Sequence, residues 1–504
     1  MPRSFPVLVL IAGLCGHAPA AAQSSLDSAG VRRWREDLVY LAREMPAQHA
    51  NLFHAVSRAR FDSTLAGLSA RLPSLTRAGV IVELMRLAAS VGDGHTNLSP
   101  WRDTVVAFHT LPVALYRFAD GYHVRAATRE HAALLGARVT HIGGVPIDSA
   151  EALVAPLIGR DNAIALMLYA PLLLVMPEVL HAVGLSDDPE MAELRVELDG
   201  RRRMVRLAQA GLAPNLSGDA DRSWNPRPGW VDLREGAPAP LWLAHTDRTY
   251  WFTYVPDGRL LYCQLNEIQE RGEPLATFFA RALRAADSLG AERFVLDLRL
   301  NGGGNGFYNR DIVRALVRSR FDERGRLFVI TSRRTFSAAQ MLISDLDHWS
   351  NPIFVGEPSA SRGNHYGDSR RLTMPNSHVT VRVSTLWWQY WDPRDTRPWI
   401  EPELAAPLTA RAYRAGADPA LMAIVGFRGQ PGLLDRLRPL LSAGDSVGAA
   451  RALQDFRADP ANAWVDAGRD LALLSGALRY EGEPAAADLT DRLRATLPPW
   501  AQPW

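Results

Sequence analysis

The sequence predicts a multidomain α/β protein, and three observations carry that expectation. The chain has 504 residues, 47% of them hydrophobic, enough for about three domains with buried cores. Between residues 239 and 412 short apolar runs alternate with amphipathic ones, the pattern of parallel βαβ units covered on both faces. On either side, residues 27–90 and the chain beyond 413 carry apolar residues at spacings of three and four, as amphipathic helices do.

The first 22 residues read as a signal peptide. Arg3 is followed by the apolar run Val7–Leu14 and by Ala20-Ala21-Ala22, a small-residue site that predicts cleavage before Gln23 and export to the periplasm or beyond. The apolar run is too short to span a bilayer. Leu14 precedes Cys15 where a lipid-anchored cysteine would need a small residue. After cleavage Cys263 is the remaining cysteine, set in the apolar strand RLLYCQL as a structural thiol. No later segment carries about 18 uninterrupted apolar residues, so no transmembrane helix is expected. A net charge of +2 argues against a dedicated nucleic-acid binder, and Arg201-Arg202-Arg203 reads as a solvated hairpin end.

Residues 23–104 should form a helical N-terminal domain. WREDLVYLAREM and LTRAGVIVELMRLAASV are its helices, and the second stops at VGDGHT, leaving Asp93, His95 and Thr96 on a glycine-flanked loop. Residues 105–212 change to short strands, with hairpins turning at Asp120-Gly121 and Asp199-Gly200. With GARVTHIGGVPI between them, this α+β module resembles a PDZ domain, which implies binding of extended peptide by strand addition. Residues 213–238, rich in Pro, Gly, Asn and Asp, read as a linker. In the α/β core of residues 239–412 the strands are LLYCQLN, RFVLDLRL, RLFVITS and NPIFVG, and the helices are PLATFFARALRAADSLG, FYNRDIVRALVRS and AAQMLISDL. Residues 413–504 form a C-terminal helical extension. Within it AGDSVGAARALQDFRADP and YEGEPAAADLTDRLRATLPP align at an offset of 38 residues, resembling a pair of tetratricopeptide-like units, with a simple helical cap as the equal alternative.

Three clusters could carry chemistry. DLRLNGGGN places Gly302, Gly303 and Gly304 directly after an apolar strand, where bare backbone N–H groups can face a ligand. A P-loop is excluded because no Lys-Ser/Thr follows, and the spacing is not that of a dinucleotide loop. In RRTFSAAQM, Ser337 lies at a strand-to-helix junction beside unpaired helix N–H groups. The alternative is that Ser337, or Thr335, merely caps the helix. In VGDGHT, His95 sits on a loop suited to reach into a cleft. A serine hydroxyl needs a base, and the chain contains no lysine at all: each of its 56 Lys+Arg residues is arginine, which stays protonated.

In this order, VGDGHTNL, DLRLNGGGN, TFSAAQM and VGEPSASRGNHYGD, with PNSHVTVRVST and IEPEL, resemble the S41 peptidases, the tail-specific or C-terminal processing proteases. The resemblance covers roughly residues 30–412. It implies a helical N-terminal part, a PDZ-like domain and a ClpP/crotonase-like protease core that acts on peptide or protein substrates. It makes Ser337 the nucleophile, with an oxyanion hole from the N–H groups of Ala338 and a glycine of the run, Gly303 first and Gly302 or Gly304 as alternatives. The Ser-Lys branch of the family has its lysine where this chain has Arg362, so the resemblance points to the His-based, tricorn-like branch and to His95 as general base. His365 is the rival base. A carboxylate downstream of the serine should orient the imidazole; Asp395 ranks first, with Asp392, Glu401 and Glu403 as alternatives. Asp93 is close to His95 in sequence but is placed to shape the turn. Two other readings stand beside this one, a silent relative that binds peptides or apolar ligands and a crotonase-like acyl-CoA enzyme, the latter weakened by the export segment. No cofactor is implied, and scattered histidines without HExxH imply no metal.

Overall fold

A computed structural model describes residues 25–103, 105, 107–212, 224, 227–429 and 432–498. The export segment with its cleavage site and Cys15 lies outside the described residues, as does most of 213–226. No helix among the described residues is long and apolar enough to cross a membrane.

Three N-terminal helices, Ser28–Gln48, Arg58–Arg71 and Arg77–Ala89, are each started by a side chain that accepts a backbone N–H: Asp27, Ser57 and Thr76. An antiparallel sheet follows. Val113–Phe118 pairs with Gly121–Thr128, and Met191–Leu198 with Arg201–Ala208, with Arg138–Ile142 between the two hairpins. Asp199 and Gly200 take φ of 51° and 71° at the turn, the positive values that a tight hairpin needs. Trp230–Asp232, expected in the linker, instead adds a strand to this sheet against Ala126–Thr128.

One continuous core crosses the expected boundary at residue 104. It joins Leu41 and Leu84 of the helices, Val113 and Val139 of the sheet, and Val381 and Val383 from far downstream. Those last residues belong to the hairpin His365–Thr373/Thr380–Trp388, which leaves the α/β core and pairs Arg382 with Asn97 just after VGDGHT. That excursion brings the helical N-terminus to the site.

The α/β core is built on a six-stranded sheet in the order Leu404–Ala405, Ile353–Gly356, Leu327–Thr331, Arg293–Asp297, Leu260–Leu265 and Tyr250–Val255. Every pairing is parallel except the last. Its inner strands are fully buried because helices Leu275–Ser288, Asn309–Val317 and Ala338–Trp349 cover one face, while helix Pro419–Gly426 packs on the other. Cys263 is buried in this sheet, and burial pushes its thiol up. The C-terminal helices Leu433–Ser442, Ser446–Ala458, Ala467–Tyr480 and Pro484–Ala495 close a separate core around Leu437, Leu453 and Leu471.

Candidate active site

Strand Leu327–Thr331 ends in the sharp turn that leads into helix Ala338–Trp349, with Ser337 at the junction. Ser337 has φ 54° and ψ −123°, in the left-handed half of the map that an L-residue avoids. Strain of this kind costs about 1–3 kcal/mol and persists only where the surroundings impose it. Neither capping alternative describes this helix start. Ser337 makes no side-chain cap bond. The Thr335 hydroxyl is committed to the Leu298 carbonyl at 2.9 Å and receives the Ser332 N–H at 3.0 Å.

The Ser337 Oγ lies 3.0 Å from His95 Nε2, across 242 residues of sequence. His95 stacks on Phe336, with ring centroids 4.5 Å apart. Gly94 permits that approach, since a Cβ there would sit 2.9 Å from the Phe336 ring. The loop is fixed by buried Asp93, whose Oδ1 accepts the N–H groups of His95 (2.9 Å) and Thr96 (2.6 Å) and the Ser384 hydroxyl (2.7 Å), while Oδ2 accepts from His49 Nε2 at 2.9 Å. Burial would push this carboxyl up, but the bonds from His49, Ser384 and Thr96 outweigh it and hold it below the usual range. Asp93 therefore shapes the turn.

His365 stacks parallel to His95 at 5.6 Å, and its Nδ1 donates to the Arg362 carbonyl at 3.0 Å. Its buried Nε2 has no partner, so it does not hold the serine. Arg362 is exposed to solvent.

Among the described residues no carboxylate holds His95 Nδ1, which is buried without a partner. Each of the four expected candidates is engaged elsewhere. Asp395 is bound by Arg397 through both oxygens, and the arginine outweighs burial to keep its carboxyl low. Asp392 is held by Arg394, Glu403 by Arg324, and Glu401 by Arg469 at 3.6 Å. The WDPRDTRPWIEPE segment is rich in arginine, and each acid pairs with a neighbouring or facing guanidinium. The carboxylate that acts most on His95 is Asp161, which the sequence reading missed. Its Oδ1 accepts the Gly94 N–H at 2.7 Å and its Oδ2 the Ser361 hydroxyl at 2.7 Å. Burial pushes the His95 imidazole down to about 4; Asp161 and Asp93 pull it back up, whereas His365 and Arg382 push it further down. GRDNAI carries no motif that would have singled Asp161 out.

The glycine run divides by geometry. A Cβ on Gly303 (φ 113°) would meet Ser337 Cβ at 2.8 Å, and one on Gly304 (φ 137°) would meet the Ile268 carbonyl at 2.2 Å, whereas Gly302 faces open space. The Gly303 N–H, first choice for the oxyanion hole, is already donated to Asn301 Oδ1 at 2.9 Å, which leaves Gly302 and Gly304 as the glycine candidates beside Ala338 at the helix start. Asn301 also donates to Leu265 O at 2.9 Å and accepts the Phe336 N–H on its carbonyl at 3.1 Å, tying the glycine loop to the serine turn. Ser337, His95 and Gly302–Gly304 open on one cleft of about 630 Å³ that also receives Tyr169, Arg334 and Arg382.

No protein-family model matches the sequence, and no curated protein matches it significantly. Solved structures do. A serine-to-alanine mutant of CPAF superposes with a TM-score of 0.57 at 12% identity, covering 80% of this chain and 99% of that one. Mature CPAF gives 0.55 at 14% identity over 79% and 99%, and mature CPAF complexed with lactacystin 0.53 at 13% over 78% and 99%. At such identities the likeness establishes architecture rather than activity. The fold of this chain is that of CPAF.

Proposed function

We propose that the protein is a serine endopeptidase of S41 type that works through an acyl-enzyme on Ser337 with His95 as general base. The observation that carries this reading is the 3.0 Å approach of His95 Nε2 to the Oγ of a strained, uncapped serine at a helix start. A neutral imidazole accepting on Nε2 carries its proton on Nδ1. It takes the hydroxyl proton as Oγ attacks a peptide carbonyl, then returns it to the leaving amine, and water repeats the cycle to release the acyl group. The Ala338 N–H, at the positive end of the helix, and an N–H of Gly302 or Gly304 would bind the oxyanion. The imidazolium that forms on attack gains its largest favourable interaction from Asp161, which acts without a direct hydrogen bond. The sheet of residues 113–208 would serve as a PDZ-like grip on extended peptide, and export would follow cleavage before Gln23.

The test is hydrolysis of a peptide pool by purified protein, with Ser337→Ala as the control. Release of new amino termini by wild type alone is expected. Equal release by Ser337→Ala, or none by either, would sink the proposal.

A further inference from the structure

Two arginines sit side by side just before the nucleophile and meet opposite fates. Arg333 is buried and neutralised: Glu357 takes Nε at 2.9 Å and Nη2 at 2.6 Å, and Nη1 donates to Arg117 O at 2.7 Å. Arg334 lines the cleft, and among the described residues it has no carboxylate partner and its buried Nε has no acceptor. Arg334 is half-buried, and taking part of a guanidinium out of water without a counter-charge is costly.

The other charges in the cleft sharpen the imbalance. Each of its carboxylates is already held: Asp232 by Arg125, Glu267 by Arg271 and Glu357 by Arg333. Arg382, beside His95, donates Nε to the Ser369 hydroxyl at 2.9 Å and meets no carboxylate among the described residues. Arg334, Arg382 and Tyr169 line the same cleft as Ser337 and His95. The cleft that holds Ser337 thus carries guanidinium groups, Arg334 and Arg382 among them, in excess of its carboxylates.

We infer that Arg334 and Arg382 form a subsite for a carboxylate of the substrate, an acidic side chain within a few residues of the bond attacked by Ser337. This rests on the peptidase reading and narrows it to acidic peptides. Guanidinium groups take a carboxylate through paired charge-assisted hydrogen bonds, which separates Glu from Gln of the same shape.

The experiment uses matched peptides that differ by Glu or Gln at one position, each amidated or free at the C-terminus. Binding to full-length Ser337→Ala is measured by fluorescence anisotropy, alone and combined with Arg334→Gln, Arg382→Gln or Arg334→Lys. A Glu-over-Gln preference of about tenfold or more is expected with amidated peptides. It should collapse in Arg334→Gln, shrink in Arg382→Gln and survive in part in Arg334→Lys. Equal binding of the Glu and Gln peptides, binding of neither, or a preference that vanishes on amidation would overturn the side-chain subsite. Fluorophosphonate labelling of the wild type is run in parallel: absence of labelling with the preference intact would refute the peptidase reading and leave the subsite standing.

Discussion

Ser337 pays for its position with backbone strain, and that strain is measurable. Glycine adopts φ 54°, ψ −123° without penalty, so Ser337→Gly should be more resistant to denaturant than Ser337→Ala by about 1 kcal/mol, even after glycine's extra unfolded-state entropy. A midpoint for Ser337→Gly below that of Ser337→Ala would mean the turn is not strained. The neighbouring glycines make a second pair of expectations. Gly303→Ala drives a methyl against Ser337 Cβ in a left-handed backbone and should cost several-fold more labelling rate and stability than Gly302→Ala, which meets open space. Comparable losses in the two variants would contradict this geometry. At this scale the serine, the histidine and the glycine run were legible because each stands in a short motif with its chemistry exposed. The carboxylate that acts on His95 through charge alone was not, since Asp161 meets the loop across distant segments and its sequence neighbours carry no pattern. Asn301 lay inside the quoted motif, but only folding shows that its amide occupies the Gly303 N–H.

The loop between Gly92 and Asn97 owes its shape to elements that the chain supplies far away. His49 follows directly on the first helix and Ser384 comes from the hairpin His365–Trp388, and both converge on Asp93. Asp93→Ala leaves two N–H groups, a hydroxyl and the His49 ring without their acceptor in a buried setting. A destabilisation of about 3 kcal/mol is expected, with loss of activity larger than stability alone explains. Thermal unfolding and labelling of the same variant check this; normal labelling would show that the loop holds itself. The strands and helices around the site were readable from periodicity and turn chemistry, for instance the hairpin over Asp120-Gly121 and the helix ending before Gly290. The hairpin's docking on the N-terminal helices was not, because an alternating pattern specifies which face is buried but not against what.

At the scale of the whole molecule, the junction between the α/β core and the C-terminal helices is built on Trp399 against Trp464 and on acids that resist ionisation. Burial pushes the Glu401 carboxyl up to about 7, against the pull of Arg469, and pushes Asp470 up to about 6. The folded state thus holds protons that the unfolded chain has released, so stability falls as pH rises from about 4.5 to 7. Limited proteolysis should free the C-terminal helices faster at pH 7.5 than at pH 5, and Glu401→Gln should flatten that difference. Cleavage that is equal at both pH values, or faster at pH 5, would contradict it. Sequence reading named Glu401 for a catalytic role because it follows the serine in the right region; its burial under a helical extension was invisible at that stage.

The absence of lysine throughout the chain makes a histidine the base on which the whole account turns. The direct test is fluorophosphonate labelling of the wild type, His95→Ala and His365→Ala, with the modified residue mapped by mass spectrometry and the rate followed against pH. A single adduct on Ser337 is expected, with loss of labelling in His95→Ala, retention in His365→Ala, and a rate that falls on acidification with its midpoint near 4 rather than 6.5. An unlabelled wild type, or labelling that survives in His95→Ala and disappears in His365→Ala, would contradict it.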